Sequence, residues 1–217
     1  MRVTSKLLAL TLAAALQPAV AGVVALNFED VTGFGKLGDQ YASSGVTFTG
    51  NAWGVSSILN DCGGVLLFSR PGSCGALLLG DPQQFATPDP RDFTIDLADG
   101  FVNEFAFVYG VRGGSDVVIK LFDGIGGTGN ALQTLEGLTG GSCGQSGISF
   151  CQWHNGSIKF EGTARSMTIS GVDQRLMLDD LRFTTPTVGT PLPEPASIAL
   201  ALGALGAAGW TRRRAAR

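Results

Sequence analysis

The sequence is poor in histidine, tyrosine, methionine and lysine. One histidine, His154, two tyrosines and three methionines serve 217 residues. With a single histidine, and with Cys62, Cys74, Cys143 and Cys151 at spacings that fit no ribbon or finger, the cysteines do not read as a zinc site. Lysine is equally sparse, at positions 6, 36, 120 and 159. Six of the 15 basic residues (Arg2, Lys6, Arg212, Arg213, Arg214, Arg217) and one of the 18 acidic ones (Glu194) belong to the two chain ends. The interior therefore carries 9 basic against 17 acidic side chains, a net charge of −8. A surface of that sign argues against nucleic acid and anionic lipid as partners and is compatible with calcium and neutral glycans. Between the ends, no stretch of about ten to fifteen residues carries a helical apolar period, which argues against a helical bundle and against βαβ units.

What the interior does carry is glycine, 32 in the whole chain, and short runs of alternating apolar and polar residues. About 165 residues suffice for one domain with its own core. Val24, Leu26 and Phe28 alternate with Ala25, Asn27 and Glu29 and predict a first strand ending at Asp30; a long turn over Val31–Gly45 then leads to Val46–Thr49. Further strands are predicted at Val65–Phe68, Ala76–Leu79, Phe93–Leu97, Phe101–Val111, Val117–Asp123, Ala131–Glu136, Ser157–Glu161 and Arg165–Ser170. Phe101–Val111 is apolar in both phases, as expected of a central strand covered on both faces. Leu97-Ala98-Asp99-Gly100-Phe101 reads as a tight hairpin, because Asp-Gly supplies the positive φ values such turns need. In the last strand Leu176 and Leu178 share one phase, Leu181 and Phe183 the other, with Asp179-Asp180 at the slip. A bulge there would keep all four apolar side chains inward and present the two carboxylates at a sheet edge. The expectation is an all-β fold, an antiparallel β-sandwich and by preference a jelly roll.

The two ends read differently. Arg2 and Lys6 precede the apolar run Leu7–Leu16, and Ala19-Val20-Ala21 is a small-x-small cleavage site, so residues 1–21 read as a signal peptide cut by signal peptidase, with Gly22 first in the mature chain. A domain over 22–183 and a Pro/Thr/Gly-containing linker over 184–191 follow. Pro193-Glu194-Pro195 then introduces Ala196–Trp210, which holds no charged residue. Fifteen residues span roughly 22 Å as a helix, and extending back to Leu192 gives a marginal transmembrane helix for a hydrocarbon core of about 30 Å. Arg212, Arg213 and Arg214 mark the cytoplasmic side. Pro193 and Pro195 keep Glu194 extended and open to a processing enzyme.

In this order and at this position, Leu192–Arg217 resembles the PEP-CTERM sorting domain, a tail also classified as the ice-binding protein C-terminal domain. The resemblance implies recognition by an exosortase, cleavage near Pro193-Glu194-Pro195, transient anchoring in the inner membrane, and delivery to the cell surface or extracellular exopolysaccharide matrix of a Gram-negative bacterium. An ordinary C-terminal anchor is the alternative, and both readings put the interior outside the inner membrane. Leu37–Phe48 is similar to a stretch near the start of many exported PEP-CTERM-type β domains. No flat, regular threonine array of the kind ice binding needs is present.

Four cysteines in an exported chain predict two disulfides, for which sequence allows three pairings. Sequential pairing, Cys62 with Cys74 and Cys143 with Cys151, is favoured because it closes two glycine-rich segments. Closing a loop of roughly ten residues contributes on the order of 3 kcal/mol by restricting the unfolded chain.

The candidate sites are few. Lectin-like and carbohydrate-binding jelly rolls often end in a similar aspartate-bearing strand, which an acidic residue of the first strand joins around a structural calcium. That similarity makes Glu29, Asp30, Asp179 and Asp180 candidate calcium ligands, calcium taking about six to eight hard oxygens. The alternative is a solvated bulge without an ion. Trp53 and Trp153 are candidate sugar-stacking platforms, while Tyr109 reads as core. Gly124-Ile125-Gly126-Gly127-Thr128-Gly129 matches a dinucleotide fingerprint, but no helix or downstream acid accompanies it, so a hairpin loop is expected. Gly140-Gly141-Ser142-Cys143-Gly144 matches a hydrolase elbow without the strand-to-helix turn that elbow requires, and nothing pairs His154 with Ser142. The functional expectation is an exported, non-enzymatic surface or matrix domain that binds an extracellular glycan, with a secreted polysaccharide hydrolase as the alternative.

Overall fold

The computed structural model describes residues 21–59, 62–64, 68–80, 93–112, 117–141, 143, 150–172 and 176–186. Most of the signal peptide, the linker beyond residue 186, the Pro193-Glu194-Pro195 motif, the apolar span and the arginine cluster lie outside the described residues, as do Ser142 and residues 65–67 of a predicted strand. Among the described residues there are ten β-strands, one 3-10 turn (Ala42–Ser44), and no helix long and apolar enough to cross a membrane.

The strands are β1 (Val23–Leu26), β2 (Phe34–Lys36), β3 (Val46–Thr49), β4 (Ala52–Ser56), β5 (Gly75–Leu79), β6 (Phe93–Val111), β7 (Val118–Phe122), β8 (Ala131–Glu136), β9 (Trp153–Ser170) and β10 (Leu176–Thr184). Every ladder between them is antiparallel. One sheet runs β2-β4-β5-β10 and continues through the second half of β6 to the first half of β9. The other joins β3, the first half of β6, the second half of β9, β7 and β8. Strands β6 and β9 thus belong to both layers of a β-sandwich, and the layers enclose one core. Phe93, Ile95, Leu97, Ile119, Leu121, Met167 and Ile169 come from one layer, Leu77, Leu79, Phe105, Phe107, Leu176 and Leu178 from the other.

The crossing between layers corrects the hairpin predicted at Asp99-Gly100. Gly100 does take a positive φ of 78°, but to bend one continuous strand rather than reverse it. The partner strand breaks at the same level, with Gly162 at φ 86°, so β6 and β9 shift register and bend together. For the same reason the predicted strands Ser157–Glu161 and Arg165–Ser170 are parts of β9. Two further differences lie near the N-terminus. The expected turn over 31–45 contains β2 and the 3-10 turn, and β4 was not predicted. Four of the five β4 residues are buried, so the strand lacks the alternation that identifies a one-sided strand.

In β10 the bulge falls between Asp179 and Arg182, with Asp180 at φ 47°. Leu176, Leu178, Leu181 and Phe183 all reach the core. Phe183 there lies 4.9 Å from Phe105 and 5.3 Å from Phe101, a ring cluster at the bend of β6. The carboxylates are not at an outer edge, however. β10 is interior, and its bulge sits at a notch where β5, paired to Leu176–Leu178, ends and β1, paired to Leu181–Thr184, begins. The chain leaving β1 passes so close that a Cβ on Gly75 would stand 1.8 Å from the Phe28 carbonyl oxygen.

A second apolar cluster lies on the opposite face of β4, β5 and β10, made of Val55, Ala76, Leu78 and Met177 under Phe68 and Phe150. Those two phenylalanines form an isolated parallel bridge, one inside the Cys62–Cys74 loop and the other inside the Cys143–Cys151 loop. The disulfides therefore pair sequentially, and Phe68 and Phe150, from the two segments they close, roof part of the outer face. This explains why β5 is buried at every residue.

Candidate functional site

Beyond the roofed half, no described residue covers the outer face. Strand β6 is central, as predicted, but Ala106 and Val108 on its outer phase are only half-buried, which corrects the expectation of cover on both faces, while Tyr109 packs against the core as expected. A concavity of about 360 Å³ lies there, lined by Ala106, Phe107, Val108, Asn155, Gly156, Ser157, Asp180 and Arg182. The register sets its layout: Asn155 pairs across Val108 with Asp179, and Ser157 pairs across Ala106 with Arg182. β6 forms an apolar floor between a β9 wall of amide and hydroxyl and a β10 wall of carboxylate and guanidinium. Two strand spacings place those walls roughly 10 Å apart. Donors and acceptors thus face each other over an apolar strip, an arrangement that can hydrogen-bond the edges of a small ligand while its middle packs on apolar side chains.

The β10 wall is anchored from the Cys62–Cys74 loop. Arg70 donates through Nη1 to Asp179 and through Nη2 to Asp180, and its guanidinium stands 5.7 Å from the Trp153 ring centroid. Asp179 is fully buried, and it also accepts the Ser73 hydroxyl at 2.8 Å and the Asp180 amide at 2.7 Å. Ser73 Oγ lies 2.7 Å from Glu29 as well, and Glu29 accepts the Cys74 amide at 3.0 Å. The four predicted calcium ligands are therefore divided. Glu29, Asp179 and Asp180 gather around Ser73 and Arg70, while Asp30 accepts from the Tyr41 hydroxyl. Burial and the Asp30 hydrogen bond push the Tyr41 phenol above its ordinary value. Among the described residues no group of three or more His, Cys, Asp or Glu is arranged to hold a metal. The cation between Asp179 and Asp180 is a guanidinium, so in this arrangement the donor set does not fit calcium.

The aromatic candidates pack rather than stand free. Trp53 stacks on Phe34, ring centroids 4.5 Å apart, with Lys36 Nζ 5.5 Å from the indole. Trp153 shares the outward phase of Asn155 and Ser157, but its ring meets Phe68 and its Nε1–H donates to the Ser69 carbonyl at 2.8 Å. His154 is exposed and sits beside Tyr109, centroids 5.4 Å apart.

The glycine string is the β7–β8 hairpin loop, as expected, and its amides serve the protein itself. The Gly126 amide donates to Asp96 at 2.7 Å and the Gly127 amide to Ser166 Oγ at 3.0 Å, while Ser166 donates to the Gly124 carbonyl at 2.6 Å. The string that could cradle a phosphate instead caps an internal carboxylate. Gly140 and Gly141 pack beside β6, where Gly141 bridges Arg112.

Sequence reasoning did not single out Arg70, Asn155, Ser157 or Arg182. Period-two polarity at Asn155 and Ser157 marks an outward phase, but pairing it with Ala106, Val108 and Arg182 requires the β6–β9–β10 register.

No protein-family model and no curated protein matches the chain. Solved structures do resemble it. The K2 cleaved adhesin domain of Lys-gingipain (Kgp) superposes with a TM-score of 0.52 at 14% identity, covering 76% of this chain and 100% of that one. The K1 cleaved adhesin domain of Lys-gingipain from Porphyromonas gingivalis W83 gives a TM-score of 0.46 at 11% identity, covering 76% and 99%. A family 6 carbohydrate-binding module gives 0.36 at 11% identity, covering 75% and 94%. At such identities the likeness to the K2 domain shows a shared β-sandwich fold.

Proposed function

We propose that this chain is an exported, non-enzymatic binding domain, sorted through its PEP-CTERM-like tail by an exosortase to the cell surface or extracellular matrix, and that it binds a neutral saccharide in the β6–β9–β10 groove. The groove carries the reading: an apolar floor of Ala106 and Val108 between hydrogen-bonding walls of Asn155 and Ser157 on one side and Asp180 and Arg182 on the other. Two disulfides support an oxidising destination. The shared fold with an adhesin domain supports a binding role over a catalytic one. The hydrolase alternative lacks support at the groove. Hydrolysis by paired carboxylates needs two of them flanking the bond, and the lining supplies one, Asp180, already engaged by Arg70.

A glycan array probed with the exported protein tests this reading. Asn155→Ala and Arg182→Ala should each weaken the signal roughly tenfold, the loss of about one directional hydrogen bond. An array signal that neither substitution changes would place binding elsewhere, and turnover of a bound polysaccharide would return the hydrolase reading.

A further inference from the structure

The roofed and open halves of the outer face meet at Arg70. This residue lies within the Cys62–Cys74 loop, and its two Nη groups hold Asp179, which is buried, and Asp180, which lines the groove. The loop is fixed on several sides. Ser69 donates its amide to the Phe150 carbonyl at 2.9 Å and accepts the Trp153 indole N–H, tying the loop to the neighbouring disulfide loop and to β9. Ser73 and Cys74 tie its far end to Glu29 and Asp179.

Asp180 sits in the left-handed region at φ 47°, on a bulge that the ladder to β6 skips. Sheet pairing therefore does not orient its carboxylate. Arg70 does, because a planar fork that engages two carboxylates fixes both. Without the disulfide the loop that carries Arg70 is closed by the β4–β5 pairing of Ser56 with Gly75 rather than at Cys62, and the longer loop holds that orientation less well.

The geometry points to Arg70 as the positioning residue of the groove, holding the Asp180 carboxylate toward the ligand, and to the Cys62–Cys74 disulfide as the covalent step that makes the groove binding-competent. This rests on the reading of the groove as a saccharide site. As the bond forms, the two thiols give up two protons and two electrons to a disulfide donor, which leaves as a dithiol. The reduced chain in the cytoplasm has an unheld Asp180 and a poorly formed wall. The oxidised chain outside the inner membrane has the completed one. Competence and destination are thereby coupled.

The test uses the full exported chain, calorimetric titration with cellohexaose and maltohexaose, and three variants: Arg70→Lys, the double change Arg70→Met with Asp179→Asn, and the double change Cys62→Ala with Cys74→Ala. Removing the buried charge along with its partner should return the melting temperature of the Arg70→Met/Asp179→Asn protein to near the parent value, yet leave binding about tenfold or more weaker, as in the other two. A purely structural role predicts that binding returns with stability, and that result, or full binding by the cysteine variant, overturns the proposal. If the parent binds neither hexasaccharide, a glycan bound on the array replaces them in the titration; if no glycan binds, the saccharide reading fails and the positioning claim is decided by NMR. Slowly exchanging Arg70 guanidinium protons should be present in the oxidised chain and absent from the cysteine variant; their persistence in the variant, or their absence from the oxidised parent, overturns it.

Discussion

Two buried aspartates show how differently one sandwich solves the same problem. Asp96, in the first half of β6, and Asp179, in β10, expose 9% and 0% of their surface. Asp96 accepts a backbone amide from the glycine-rich hairpin loop. Asp179 is met by a guanidinium from a disulfide-closed loop, with a serine hydroxyl and an amide in support. The amide solution is neutral and local and does not involve the groove. The guanidinium solution brings a charge whose other arm reaches Asp180, a groove-lining residue, so stability and binding become linked in the layer that contains β10. A third carboxylate, Asp30, is met by the Tyr41 phenol and takes no part in either arrangement.

Breaking each partnership should rank them. Arg70→Met strands a fully buried carboxylate, and removal of one partner from such a pair costs about 3–5 kcal/mol; urea unfolding of the oxidised protein measures it. Asp96→Ala removes a hydrogen-bond acceptor and leaves the Gly126 amide without that partner, a cost of about 1–3 kcal/mol. That variant should bind saccharide as the parent does, which sharpens the contrast. The smallest effect at neutral pH belongs to Tyr41. Its folded pKa is raised above the ordinary value of 10.0 by burial and by Asp30. The associated stability is therefore complete below pH 10 and is lost as pH climbs further. The melting temperature of the parent should fall more steeply above pH 10 than that of Tyr41→Phe, and parallel curves would remove the phenol from the comparison.

Much of this architecture was legible in the residues. Alternation identified most strands, and the phase slip at Asp179-Asp180 located the β10 bulge, because apolar side chains on both sides of a bulge must still reach one core. The Asp99-Gly100 reading failed for a physical reason: positive φ serves a bend as well as a turn, and only the matching break at Gly162 in the partner strand distinguishes them. The groove was illegible. Its walls come from β9 and β10 and its floor from β6, so it exists only once three strands are in register. Arg70 was illegible as well, since it contacts residues 109 and 110 positions away in sequence. The calcium expectation identified acidic residues that do gather, Glu29 with Asp179 and Asp180, but nothing local in the sequence indicated that a guanidinium would stand between the aspartates.

If the open half of the outer face holds the ligand, the amides that respond to it are those of the β6–β9–β10 groove. Amide chemical-shift mapping of the oxidised protein with a saccharide taken from the array tests it directly. Perturbations should concentrate at Ala106, Val108, Asn155, Ser157, Asp180 and Arg182. Shifts confined to the Trp53–Phe34 stack or to the Gly124–Gly129 hairpin loop would contradict it.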